Sequence, residues 1–374
     1  MTVQSAWQLL DRQLAGGRFP GYAAAVRHRG EVSYRVGGTL ALDDDRPVRP
    51  DTQFRIASLT KIVAGVLALN LIADGLLALD DPVGRWLPEL AEPRVLRTPT
   101  GELTDTVPAE RPVLVRDLLA FTNGIGLILT PSPIQRALAE AGLDPGPRLP
   151  RFDGEEYLAR IGALPLAHQP GRAWLYHCGA ELLGVLLARA AGRPVAELLA
   201  ERVTGPLGMA STGLHAPDPS RLVTQYAPSD AGLRAIDLPG GQYARPPLFE
   251  SLGAGLVSTV EDYLGFLSVF DGASDVLSAA DVRLMTTESI APELRPGVQQ
   301  LAAPGTSWGL CVGVDLTAEQ PWMAPGRFGW TGGAGTTAYL DPSRKLTAVL
   351  FTQRAMQSAT GDFDDFYRTL AEGL

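Results

Sequence analysis

The chain has 374 residues, a net charge of −9, 45% hydrophobic and 20% charged residues, and a mean hydropathy of +0.06. These are globular values without an uninterrupted apolar run long enough to span a bilayer, and the acidic balance argues against nucleic acid or an anionic membrane as partner. The length exceeds the usual single domain, so one large domain with an inserted lobe, or two domains sharing an interface, is expected.

Residues 1–14 read as an amphipathic helix carrying Trp7, Leu9, Leu10 and Leu14, with no basic n-region or small-residue cleavage site, which points to the cytoplasm. Residues 22–29 and 31–37 read as two strands joined by a tight hairpin at Gly30. Residues 51–54 lead into a helix that begins near Ser58 and runs through Ala73. Prolines break the pattern at 80–88, and a loop-rich stretch follows at 92–111. Residues 115–124 read as a short helix stopped by glycine, and 134–141 as another. Residues 181–191 form a largely apolar helix closed by Gly192, followed by a shorter one at 195–203. From Ser307 the pattern turns to strand at 308–314, 336–340 and 346–352, and a helix at 363–374 ends the chain. Strands at both ends with a helical middle imply an α+β (α/β sandwich) fold. One antiparallel sheet is built from N- and C-terminal segments and flanked by helices. Residues 1–60 and 300–374 would form the sheet domain and 61–299 a mainly helical lobe, with the active site between them.

Of the 32 basic residues only two are lysines, Lys61 and Lys345. Arginine carries any charge a surface needs, but its guanidinium does not deprotonate in proteins, so only a lysine can act as a base. Lys61 lies three residues after a serine, in Phe54-Arg-Ile-Ala-Ser58-Leu-Thr-Lys61, and residues at that spacing share a helix face. The amine could therefore activate the Ser58 hydroxyl. The segment that follows, 62–73, is apolar on nearly all sides, which describes a buried helix. Burial lowers a lysine pKa toward the range of a working base, whereas the bland reading is a structural ion pair. Four histidines, at 28, 168, 177 and 215, lack metal-ligand spacing, so no metal is expected. Two cysteines, Cys178 and Cys311, are expected as reduced thiols. No cofactor motif occurs.

Two later segments join the first. One is Gln169-Pro-Gly-Arg-Ala-Trp-Leu-Tyr176-His-Cys178, leading into a helix; the other is Phe328-Gly-Trp330-Thr-Gly332-Gly333-Ala-Gly-Thr336. With Ser58-Leu-Thr-Lys61, and weaker echoes at 118–124 (including Asn123), 206–209 and 253–259, they make the chain resemble the serine β-lactamase and penicillin-binding-protein superfamily. Within it the chain is most similar to the class C-like (family VIII-type) esterases and the D-aminopeptidase-like hydrolases. The resemblance implies a β-lactamase/transpeptidase-like fold and a Ser58 nucleophile. It also implies Lys61 and Tyr176 as proton-handling partners, either of which could be the base. The oxyanion and substrate would meet Gly333, Gly332, Trp330, Cys178 and Asn123.

Two departures bear on substrate. Trp330 stands where lactam-handling relatives carry a lysine or histidine, so a substrate carboxylate loses a partner unless Arg327 or Arg354 compensates; Trp330 is expected as a pocket wall. Cys178 stands where asparagine is usual, and a thiol binds an amide poorly. His177 points away from its neighbours in an extended segment, giving it a solvent-facing or capping role rather than a chemical one. The expectation is a serine hydrolase acting through a Ser58 acyl-enzyme on small-molecule substrates, foremost a carboxylesterase on neutral short- or medium-chain esters. The alternatives are a β-lactamase, a D-amino-acid peptidase or transesterase, or a non-catalytic binding protein on the same scaffold.

Overall fold

The computed structural model describes residues 3–373. Its centre is an eight-stranded antiparallel sheet with strands β1 (Gly21–His28), β2 (Glu31–Ala41), β3 (Asp44–Pro47), β4 (Thr306–Trp308), β5 (Gly313–Asp315), β6 (Phe328–Gly332), β7 (Thr336–Asp341) and β8 (Leu346–Thr352). The spatial order is β4-β5-β6-β7-β8-β1-β2-β3, so the two ends of the chain meet where β1 pairs with β8, Ala24 opposite Leu350. The β1–β2 hairpin turns through Arg29 and Gly30, both at positive φ, as a tight hairpin turn requires.

Side-chain alternation divides the sheet between two cores. Tyr22, Ala24, Val26, Ala348 and Leu350 face one, which holds Trp7 and Leu10 of the helix Gln4–Ala15 and Phe366 and Leu370 of the helix Asp364–Gly373. Ala23, Ala25, Val349 and Phe351 face the larger core on the other side. That core contains the helix Thr60–Ala73, of whose 14 residues 11 are buried, enclosed on all sides from Thr60 to Leu69 as its all-round apolarity predicts and emerging only at its C-terminal end. The architecture is the expected α+β fold. The helix Val260–Phe266 also packs on β8 and β1, so the middle of the sequence supplies part of the layer against the sheet.

Several local expectations change. The strand expected at 308–314 is two, β4 and β5, because Gly309 N–H bonds Val312 O and Cys311 takes φ 60, turning the chain between them. The helix expected at 115–124 ends at Ala120, where Phe121 adopts a left-handed conformation before the glycine is reached. Residues 195–203 form a helix only to Leu199 and then widen into a π turn. Of the helices expected at 1–14 and 363–374, the positions Met1, Thr2 and Leu374 lie outside the described residues.

Candidate active site

The turn that carries Ser58 is clamped from three sides. Phe54–Arg55 pairs with Val257–Ser258, Thr336 Oγ1 donates to Ile56 O at 2.9 Å, and Tyr263 OH donates to Leu59 O at 3.0 Å. Gly332 lets β6 approach this turn, since a Cβ there would lie 2.3 Å from Ile56 O. Ala57 is held at φ 43, a conformation a residue with a Cβ seldom adopts, and the helix of Lys61 follows directly. Ser58 is therefore half-buried at the turn, while Lys61, on the first turn of the helix, is fully enclosed.

Lys61 Nζ lies 3.1 Å from Ser58 Oγ, 3.3 Å from His177 Nδ1, and donates to Gly253 O. Burial pushes its pKa down to about 8, against the opposing pull of Glu181. The ring of Tyr176 lies beneath the amine, 4.5 Å from nitrogen to centroid. Trp330 Nε1 donates to the Tyr176 hydroxyl at 2.5 Å. Burial raises the Tyr176 pKa above its ordinary value, although Ser58 and the Trp330 N–H both draw it back down.

Ser58, Lys61, Tyr176 and Trp330 thus converge. Trp330 is enclosed at 3% exposure and packs edge-on against Trp308, at 4.7 Å between centroids; it walls a cavity of 340 Å³ with Thr331 and Tyr339, separate from the one Gly333 lines, while its N–H serves Tyr176. Of the two glycines, Gly333 lines a cavity of 1270 Å³ together with Ala57 and His177. Neither the Gly333 nor the Ser58 N–H has an acceptor among the described residues. Tyr176 faces a second cavity, of 190 Å³, with Trp174 and Leu127.

Three expectations require correction. His177 is neither solvent-facing nor a side-chain cap: it is 5% exposed and bonded to Lys61. Its φ of 86 and ψ of −63, with Cys178 N–H reaching back to Tyr176 O, form a tight γ-turn, and this turn aims Tyr176 and His177 together at Ser58 and Lys61. Cys178, fully enclosed, lines neither cavity; its thiol faces Tyr157 and burial pushes its pKa up to about 12, which keeps it a protonated core thiol set back from both cavities. Asn123, 1% exposed, donates to Ile125 O and packs against Gly179 away from both cavities. Arg327 and Arg354 do not compensate for the missing strand cation, because they pair with Asp315 and with Asp362 and Gln357. Glu181 belongs to none of the motifs the sequence offers. It is 2% exposed, lies 3.2 Å from His177 Nε2, and accepts from Ser251 Oγ and Gly253 N. Its spacing of four from His177 on a buried helix start is the signal that could have found it.

The chain matches the Beta-lactamase family over residues 7–372. It belongs to that family. Esterase EstB of Burkholderia gladioli is 31% identical to it over 374 residues, covering 94% of this chain and 91% of EstB. Protein Rv1367c of Mycobacterium tuberculosis is 37% identical over 339 residues, 86% of this chain and 81% of that protein. The solved structure of EstCE1, a hydrolase with promiscuous acyltransferase activity, superposes with a TM-score of 0.85 at 24% identity, covering 99% of this chain and 98% of that one, and shows the shared fold. As a Beta-lactamase family member with an esterase relative, the protein is a serine hydrolase. No helix among the described residues is long and apolar enough to cross a membrane.

Proposed function

We propose that the protein is a carboxylesterase that carries its acyl group on Ser58 and prefers neutral esters of short or medium acyl chains. The observation that carries this reading is Lys61, an enclosed amine with its pKa near 8, placed 3.1 Å from a half-buried serine hydroxyl. In the first step the Ser58 O–H proton passes to the neutral amine as Oγ bonds the ester carbonyl carbon, and the carbonyl π pair moves onto oxygen. The two free N–H groups at Ser58 and Gly333 are the donors suited to that oxyanion. Tyr176, its hydroxyl held by Trp330 and adjoining Ser58, is placed to hand a proton to the departing alkoxide and later to take one from water.

Among the described residues the arginines near the Trp330 strand, Arg327 and Arg354, are already paired, which favours a scissile end without a carboxylate. Arg148, Arg151 and Arg234 line the large cavity beside Asp144, Glu181 and Asp237, so its wall carries both signs of charge and selects no net charge on the remote end of the substrate. A second reading, acyl transfer to an alcohol, is favoured by the two cavities that reach the residues around Ser58, one lined by Ala57, His177 and Gly333 and the other by Tyr176, which give room for an acyl group and an acceptor. The test is turnover of p-nitrophenyl esters, neutral and ω-carboxylated, beside a chromogenic cephalosporin. Ester turnover that disappears in Ser58→Ala supports the proposal, and comparable cephalosporin turnover replaces it with a lactamase. Product formed from added alcohols in competition with water decides for transfer.

A further inference from the structure

Lys61 Nζ has three polar neighbours: Gly253 O, His177 Nδ1 and Ser58 Oγ. A neutral amine has two N–H bonds and one lone pair. With the Ser58 hydroxyl turned to donate to the lone pair, both N–H bonds find acceptors in Gly253 O and His177 Nδ1 only if His177 carries its proton on Nε2, and Glu181 Oε1, 3.2 Å from Nε2, is the acceptor that selects this tautomer. Glu181 is itself fixed by Ser251 Oγ at 2.8 Å and Gly253 N at 3.1 Å. Gly253 thus bonds Lys61 through its carbonyl and Glu181 through its amide, closing a loop of contacts around the amine. No side chain would fit there, because a Cβ on Gly253 would lie 2.5 Å from Glu181 Oε1 and 3.1 Å from His177 Cε1.

We propose that His177, oriented by Glu181, is a positioning residue for acylation: with Gly253 O it occupies both N–H bonds of neutral Lys61 and leaves the lone pair directed at the Ser58 hydroxyl. This inference rests on the reading of Ser58 as the acyl-carrying nucleophile. In the attack the Ser58 O–H bond breaks, the proton and the Lys61 lone pair form the third N–H bond, and the Oγ–acyl bond forms. His177 exchanges no proton and stays neutral, as its burial and the neighbouring Lys61 demand by holding its pKa below the ordinary value. The groups facing this centre are the Tyr176 phenol, the Cys178 and Cys311 thiols, Glu181, and Asp144 toward His177. The strained backbone at His177 has a purpose in this arrangement, because an ordinary helix entry would not turn both Tyr176 and the imidazole inward.

The experiment compares wild type, His177→Ala and His177→Asn, each shown folded by its thermal transition, for acylation of Ser58 by a p-nitrophenyl ester. Burst kinetics across pH and intact mass are the readouts. Loss of one aligned acceptor should lower kcat/KM of His177→Ala by roughly tenfold to a hundredfold with KM little changed. It should also move the rising pH limb upward as water reaches Lys61. His177→Asn, whose amide oxygen can take the place of Nδ1, should recover most of the rate and the limb. Equal rates and an unmoved limb in His177→Ala overturn the inference, as does an equal loss in both variants with no change in pH dependence. Wild type that never forms acyl-Ser58 instead overturns the functional reading, and this inference falls with it.

Discussion

The pH dependence of acylation follows from a single buried group. Lys61 is charged when protonated and its burial holds the pKa at about 8. The fall from an ordinary value near 10.4 represents about 3 kcal/mol by which the site disfavours ammonium relative to amine. The reactive amine is then roughly 9% of the enzyme at pH 7 and roughly 91% at pH 9, so kcat/KM should rise about tenfold between them and then level. Tyr176 cannot produce this limb, because its pKa is raised above an already high ordinary value, and neither can His177, whose pKa is lowered from 6.5. The assay is initial-rate hydrolysis of a p-nitrophenyl ester from pH 6 to 10, with Ser58→Ala as the blank for spontaneous hydrolysis. A profile flat from pH 6 to 9, or one still climbing tenfold per unit beyond pH 9.5, refutes the assignment of Lys61 as the base. The same shift acts on stability. Below pH 8 both folded and unfolded chains hold the Lys61 proton. Between about 8 and 10.4 only the unfolded chain does, so this group adds up to about 3 kcal/mol to folding stability as pH rises across that window. The difference in urea midpoint between wild type and Lys61→Met should follow that rise.

Trp330→Phe keeps most of the ring packing and removes the N–H on the Tyr176 hydroxyl, so kcat should fall about tenfold while the thermal transition stays near that of wild type; an unchanged kcat counts against a role for this bond. Gly253→Ala should abolish ester turnover and lower urea stability by about 1–3 kcal/mol, since the new methyl meets the Glu181 carboxylate and the His177 ring. Arg327→Met leaves Asp315, 1% exposed, as an unpaired buried carboxylate and should lower stability by about 3–5 kcal/mol. The double variant Asp315→Leu/Arg327→Met should recover most of that loss, and failure to do so in urea unfolding would mean the pair contributes through packing instead.

The fold was largely readable because its determinants are local and periodic. The alternation of 22–28 and 346–352 divides each strand between two faces, and the structure places those faces in two separate cores. Where backbone conformation is set by distant neighbours the reading failed. Cys311 at φ 60 splits one apparent strand into two, and Phe121 at φ 59 ends a helix three residues before its glycine. Neither residue type favours the left-handed region, so no propensity announces either turn.

The site divides along the same line. Ser58 and Lys61 share a helical face by spacing alone, and apolar flanks are enough to predict that the amine is enclosed. The sequence of the Tyr176 segment reads as extended, which turns alternate residues to opposite sides and sends His177 away from the tyrosine while bringing Cys178 along with it. The γ-turn at His177 reverses that arithmetic: the imidazole joins the phenol at the reacting centre and the thiol is carried into the core as the first residue of its helix. One strained residue therefore exchanges the parts of its neighbours. The cysteine at 178 therefore leaves the lysine with a polar partner, because it is His177 Nδ1, and not the residue after it, that lies beside the amine.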